Sequence, residues 1–333
     1  MATGPQKITV IGGSGFIGTR LCEDLANRQI PFEIIDLKVS RRFAEKTKVV
    51  DIRNLVPLRA AVTGDAIIHL AAVHRDDVRD QRLYHTTNVD GTRNVCKVAA
   101  ERGIGSIVFT STVAVYGFAS PGTDERGKIN PFNEYGRTKY AAEGVLNAWR
   151  EAAPEHRQLI IVRPTVVFGE GNRGNVYNLL NQIASGRFMM IGLGKNRKSM
   201  AYVGNIAAFL RIAVESGTSG IFNYVDEPDY DMNALVSEVR GALKGRYDIG
   251  PRLPYHFGML LGYLADFLAK ATGKKLPISS IRVKKFCAST EFKSRKTDLE
   301  GFVPPFQMRD GLRRTLQTEF ISPDPNREIF FTE

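Results

Sequence analysis

Tyr135 and Lys139 stand four residues apart in Tyr-Gly-Arg-Thr-Lys. On a helix that spacing places both side chains on one face, about one turn apart. A lysine ammonium beside a phenol favours the phenolate, so the tyrosine pKa is expected to fall toward working pH. Such a tyrosine can trade a proton with a hydroxyl group while a hydride moves to or from a nicotinamide. The same spacing also arises by chance on solvated helix faces, so its meaning rests on what precedes it in the chain.

Lys7-Ile8-Thr9-Val10-Ile11 reads as a short buried strand, and Gly12-Gly13-Ser14-Gly15-Phe16-Ile17-Gly18 follows it. Gly12 permits a tight turn, Gly15 lets the backbone approach a pyrophosphate, and Gly18 lets the next helix pack close to the strand. The helix begins at Phe16 and Ile17, and its unpaired N–H groups would face the phosphates. A second strand, Phe32–Ile35, ends at Asp36. An acid there meets the adenosine ribose hydroxyls and favours NAD over NADP. Lys38, Arg41 and Arg42 keep a 2′-phosphate open, and Asp51-Ile52 is placed against the adenine.

Glycine loop, Asp36 and the Tyr-Lys pair occur in the order found in extended short-chain dehydrogenase/reductases, the NAD-dependent epimerases and dehydratases, which this chain resembles along its length. His69-Leu70-Ala71-Ala72 resembles the strand end that lines the cofactor, and the stretch from Asn88 to Val95 the family's asparagine-bearing helix. Phe109 to Gly117 resembles the strand carrying the catalytic hydroxyl, with Thr112 in register and Ser111 as its neighbour. The resemblance implies that Tyr135, Lys139, Thr112 and Ser111 are catalytic. It implies NAD, tightly held, against the glycine loop, Asp36, Asp51, Ile52, Leu70, Ala71, Ala72, Asn88 and Pro164, with Tyr135 and Lys139 at the nicotinamide end.

Dehydratases of the family carry an acidic pair beside the catalytic threonine. Here Ser111-Thr112-Val113 stands instead, which disfavours elimination of water. Epimerases and 4-keto reductases share the triad, and it does not separate them. The stretches 71–78, 171–178, 194–203 and 281–287 resemble the subgroup of 4-epimerases that act on N-acetylglucosamine linked through diphosphate to undecaprenol, in O-antigen assembly. That resemblance implies substrate contacts at His74, Ser111, Thr112, Asn175, Val176, Arg197 and Lys198. Val166 replaces an asparagine of the UDP-galactose-type epimerases, and Lys198, flanked by Arg197, replaces an arginine. A UDP-linked sugar, or a 4-keto-6-deoxysugar reduced at the expense of NAD(P)H, stays open as an alternative.

The elements that must position these groups alternate strand and helix from Lys7 to about Gly169. They predict an α/β fold: a Rossmann-like doubly wound parallel sheet with a smaller mixed α/β substrate domain toward the C-terminus. Residues 1–170 with about 204–226 form the expected nucleotide-binding part, and about 171–203 with 227–333 the substrate part. Helices are expected at Phe16–Arg28, Asn88–Arg102 and Tyr135–Glu151. Loops at Gly171–Asn178 and Gly192–Ser199 are expected to cap the sugar diphosphate, and the Tyr135 helix to join a homodimer bundle as is usual in the family. The 333 residues can bury a large core.

Cys22, Cys96 and Cys287 lack metal-type spacing, the histidines are scattered, and no metal site is expected. The first residues lack a signal peptide's apolar core, so a cytoplasmic setting is expected. The formal net charge is +11, without the aromatic-basic interleaving of a nucleic-acid binder. Tyr255–Ala269 is apolar on more than one face and is followed by Lys270, Lys274, Lys275, Arg282, Lys284 and Lys285. His256 and Asp266 make it a poor membrane span. It reads either as an interfacial helix making peripheral contact with the inner face of the cytoplasmic membrane, or as a core or dimer helix with solvated lysines.

Overall fold

A computed structural model describes residues 4–75, 78–273 and 279–332. The first half runs β1 (Ile8–Ile11), α1 (Phe16–Asn27), β2 (Phe32–Asp36), β3 (Thr47–Val49), α2 (Leu55–Ala61), β4 (Ala66–His69), α3 (Arg82–His85), α4 (Thr92–Glu101), β5 (Ser106–Thr110), α5 (Glu134–Glu151) and β6 (Gln158–Pro164). The second half continues with β7 (Val166–Phe168), α6 (Asn175–Ala184), β8 (Met190–Ile191), β9 (Arg197–Lys198), β10 (Met200–Tyr202), α7 (Val203–Glu215) and β11 (Gly220–Tyr224). After these come β12 (Tyr230–Asp231), α8 (Met232–Lys244), β13 (Arg252–Leu253), α9 (Tyr255–Thr272), α10 (Ser280–Cys287) and α11 (Met308–Leu316).

Seven parallel strands form the central sheet in the order β11-β6-β5-β4-β1-β2-β3. Their sequences are near-continuous runs of branched apolar residues, as strands covered on both faces require. One face packs on α1 and α7 through Leu21, Leu25, Ile206 and Phe209. The other packs on α2, α4 and α5 through Leu58, Val95, Leu146 and Trp149. A third apolar cluster joins α6, α8 and α11 beyond the sheet. The strand order reverses at β1, flanked by β2 on one side and β4 on the other. The crevice at the carboxyl ends of such strands is where an open α/β sheet binds a ligand.

The predicted doubly wound sheet is therefore present, and α7 and β11 return the chain to it after the excursion through β7–β10. Several local expectations change. The helix expected from Asn88 opens instead with a π-helical turn, Thr86–Gly91. There the Asn88 amide is drawn inward, with Oδ1 accepting from the Val73 N–H (2.7 Å) and Nδ2 donating to Val73 O and Thr138 Oγ1 (both 3.0 Å). The loop expected at Gly171–Asn178 becomes helical from Asn175, and Arg197–Lys198 in the second loop pair as a short strand with Tyr230–Asp231. Among the described residues, no helix is long and apolar enough to cross a membrane.

Candidate active site

The glycine loop leaves β1 at the sheet's carboxyl edge. Gly12 has φ +85°, and a Cβ there would lie 2.6 Å from the Ala71 nitrogen. A Cβ on Gly18 would lie 2.4 Å from Gly12 O, so α1 approaches the strand only because that position has none. Gly15, the residue before α1, has no side chain with which to cap the helix. The first N–H groups of α1 are therefore left for an anion. Asp36 ends β2 beside this loop, with Oδ2 accepting from the Ser14 N–H (3.0 Å) and Oδ1 from the Lys38 N–H (3.2 Å). Burial raises its pKa. Leu70 and Ala71 both donate N–H to Ile11 O, at 2.8 and 3.1 Å, so the wall after β4 is tied directly to the glycine turn. These features fit a dinucleotide: a cradle a side chain would fill, an open helix start, and an acid at the ribose position.

Asp51 is turned to Arg53 in a chelating ion pair at 2.6–3.0 Å, while Ile52 is buried against Gly91. Asn88 acts one step back from the crevice, pinning the Val73 segment that bears Ala72 and His74. Pro164 ends β6 opposite Tyr224.

At the far end of the crevice, β5 delivers Ser111 and Thr112, and α5 delivers Tyr135 and Lys139. Asn133 caps α5 by accepting from the Gly136 N–H at 2.9 Å, which sets the phase of the helix. Thr112 is extended, accepts from the Ala114 N–H at 3.1 Å, and acts on the Tyr135 phenol, lowering its pKa. Lys139 is 2% exposed, with its ammonium 4.0 Å from the centroid of Phe109. Burial holds Lys139 down at about 7, opposed by the Glu143 carboxylate. It pushes Tyr135 up to about 12, opposed by the Thr112 hydrogen bond. The lowering of the tyrosine pKa expected from the Tyr-Lys spacing is therefore outweighed in the protein alone. The ammonium lies against the Phe109 ring, and desolvation dominates at the phenol.

Ser111 does not share the pocket side with Thr112. Its hydroxyl donates to Glu143, which also receives Arg163 in a two-pronged ion pair (Nη2–Oε2 2.6 Å, Nε–Oε1 3.0 Å). Arg163 further donates to the Tyr116 hydroxyl (2.8 Å), and Tyr116 donates to Asn223 Oδ1 (2.8 Å). This buried chain ties α5, β5, β6 and β11 together behind the side that bears Thr112, Tyr135 and Lys139. Glu143 went unnoticed in the sequence, although its signal is there: it lies four residues beyond Lys139, on the same helix face.

The implied substrate residues differ in their surroundings. His74 follows the cofactor wall, and its pKa is lowered by burial and then by the charges of Lys139 and Arg75. Asn175 is exposed at the start of α6, whereas Val176 is buried in the third apolar cluster. Arg197 is exposed. The Lys198 ammonium donates to the carbonyls of Lys285 (3.0 Å) and Ala288 (2.5 Å), so it caps the carboxyl end of α10. Asp76 and Asp77 lie outside the described residues.

A relative from Escherichia coli O157:H7, N-acetyl-alpha-D-glucosaminyl-diphospho-ditrans,octacis-undecaprenol 4-epimerase, is 48% identical over 98% of this chain and 99% of its own. UDP-glucose 4-epimerase of Vibrio cholerae is 25% identical over 94% of this chain and 95% of its own. Among solved structures, UDP-N-acetylglucosamine 4-epimerase from Methanobrevibacter ruminantium M1, in complex with UDP-N-acetylmuramic acid, superposes with TM-score 0.73. Its identity is 20%, over 95% of this chain and 98% of that one, which speaks for the fold alone. Residues 8–224 match the NAD dependent epimerase/dehydratase family, and with the dinucleotide cradle and the Thr112, Tyr135 and Lys139 cluster in place, the chain belongs to that family.

Proposed function

We propose that this enzyme interconverts the C4 configuration of an N-acetylhexosamine joined through diphosphate to undecaprenol, N-acetylglucosamine to N-acetylgalactosamine, with NAD retained through the cycle. The observation that carries this reading is the 48% identity, over nearly the whole of both chains, to a relative named for that activity. The cluster of Thr112, Tyr135 and Lys139 supports it by supplying the proton chemistry. Tyr135 as phenolate takes the proton of the sugar 4-hydroxyl, with Thr112 hydrogen-bonded to the same oxygen and Lys139 stabilising the negative charge. NAD, which Gly12, Gly15 and Gly18 would hold, would supply the hydride acceptor and donor for C4 and a positive ring charge that would favour the phenolate. Tyr135, having taken the 4-hydroxyl proton, would return it to the same oxygen when the opposite C4 configuration is made. The net redox change is zero.

In this reading residues 1–170 and about 204–226 hold the cofactor, and the remainder holds the substrate. Two copies pair through α4 and α5, where Tyr140, Ala141, Gly144 and Ala148 present an exposed, low-relief face. The enzyme works inside the cell, at the inner face of the cytoplasmic membrane where its carrier-bound substrate resides.

A paired assay without added reductant tests the proposal. Undecaprenyl-diphosphate-linked N-acetylglucosamine and UDP-N-acetylglucosamine are offered separately, and the 4-epimer is followed in each. Conversion of the lipid-linked sugar is expected. Conversion of the UDP-sugar alone would make this a nucleotide-sugar epimerase. Activity only on a 4-keto sugar with NAD(P)H would place it among the reductases.

A further inference from the structure

We propose that α9, with the basic end of α10, is a docking surface that seats the protein on an anionic lipid leaflet beside its active site. The helix is amphipathic in the inverted sense. Its buried side is made of Gly258, Met259 and Gly262, with Ala265 and Asp266 half-buried. A Cβ added to Gly258 would lie 2.7 Å from Ile191, and one added to Gly262 would lie 2.8 Å from the Ser280 backbone. Small residues there let α9 lie flat on β8 and on the start of α10. Asp266 accepts from the Ser280 N–H at 3.1 Å and locks the two helices together.

The opposite side is apolar and bare. Phe257, Leu260, Leu264 and Phe267 are 60, 63, 53 and 69% exposed, and Leu261 and Leu268 continue the stripe. With Tyr263 the bare arc covers about 160° of the helix at about 100° per residue. A soluble helix normally directs such a stripe inward, and an exposed patch of this kind marks an interaction site.

Charge identifies the occupant. Among the described residues of 255–287, Lys270, Arg282, Lys284 and Lys285 stand against one carboxylate, Asp266, which is engaged within the hairpin. An apolar stripe edged by cations matches acyl chains beneath anionic headgroups. A second copy seated face to face would bring both basic clusters together.

The surface is continuous with the catalytic end of the molecule. The Lys285 ammonium lies 5.9 Å from the centroid of Phe132, three residues before Tyr135, and Phe132 stacks on exposed Phe118 at 4.8 Å. Between α9, α10 and the loop after β8 lies a cavity of about 410 Å³, lined by Leu193, Lys195, Asn196, Tyr255, Lys284 and Cys287. A leaflet held by α9 therefore borders this opening. Only the path of the substrate into the site rests on the lipid-linked reading above; attachment to the leaflet does not.

The test is sedimentation of the full chain with phosphatidylcholine vesicles, with and without one third phosphatidylglycerol. Binding to the mixed vesicles that weakens with salt is expected, with little binding to phosphatidylcholine alone. The triple variant Leu260→Ser, Leu264→Ser, Phe267→Ser should lose at least tenfold in partition, while its urea midpoint and its turnover of a short-chain, water-soluble sugar diphosphate stay unchanged. Wild-type protein that stays in the supernatant, or a triple variant that still sediments, overturns the proposal. So does a wild-type dimer that becomes monomeric in the variant without vesicle binding, since a second copy would then cover the face. Vesicle binding without turnover of the lipid-linked sugar would leave the docking surface and remove the substrate assignment. Turnover in detergent without vesicle binding would do the reverse.

Discussion

Glu143→Gln probes the buried network behind the catalytic face. The Arg163 and Glu143 side chains are 3% and 2% exposed, and their ion pair is two-pronged. Removing one partner of such a pair costs about 3–5 kcal/mol, because the other charge stays buried without compensation. Arg163 keeps its bond to the Tyr116 hydroxyl, and the new amide oxygen can still accept from it, which places the loss near about 3 kcal/mol. Adding Arg163→Met removes the orphaned charge at similar volume. The double variant should therefore recover at least about half of the loss, so the two substitutions should be strongly non-additive. Urea unfolding followed by the single tryptophan, Trp149, which is buried on the same helix, reads all four species. A Glu143→Gln loss below about 1 kcal/mol, or simple additivity of the two substitutions, would refute the reasoning. A catalytic readout separates positioning from mere scaffolding. The Glu143 charge opposes the burial that holds Lys139 at about 7. Without it the Lys139 pKa falls further, so the alkaline limb of kcat that reports the ammonium should move to lower pH. A limb that stays in place would leave Glu143 with a structural role only.

Tyr135→Phe should retain NAD and the native fold but lose about 10²–10⁴-fold in turnover, the usual contribution of a positioned acid-base group; single-turnover epimerisation measures it, and a near-normal rate would remove Tyr135 from the chemistry. His69 is fully buried, and burial holds its pKa down at about 3, against about 6.5 in the unfolded chain. The unfolded state therefore takes up a proton that the folded state refuses. Stability is complete above pH 6.5 and falls as pH drops toward 3, by about 2–3 kcal/mol at pH 4.5. The variant His69→Leu should show a correspondingly smaller loss between pH 7 and pH 4.5 in urea titrations. An unchanged pH dependence would mean that other groups govern the acid limb.

The cofactor half was legible because its signals are local. A glycine run after an apolar strand, an acid at the end of the next strand, and a tyrosine and lysine one helical turn apart each report a backbone geometry within a few residues. Long-range partners were not legible. Ser111 and Thr112 are adjacent and chemically alike, yet they point to opposite sides of the strand end, and only the arrival of Glu143 and Arg163 from α5 and β6 decides which hydroxyl faces the pocket. Lys198 reads as a diphosphate ligand by position, and in the fold its ammonium also donates to a helix end ninety residues later. Asp51 is drawn instead to a near neighbour, Arg53, two residues along the chain. For Tyr255–Ala269 the apolar pattern alone fits a core helix as well as a surface one. Which side of it meets the protein is settled by the two glycines that fit Ile191 and Ser280. Local spacing thus determined the fold and the candidate cluster of Thr112, Tyr135 and Lys139, since helix phase and turn geometry depend on near neighbours. The direction of each polar side chain, and the exposure of α9, depend on which distant charge, carbonyl or backbone the packed sheet brings within hydrogen-bonding or contact distance.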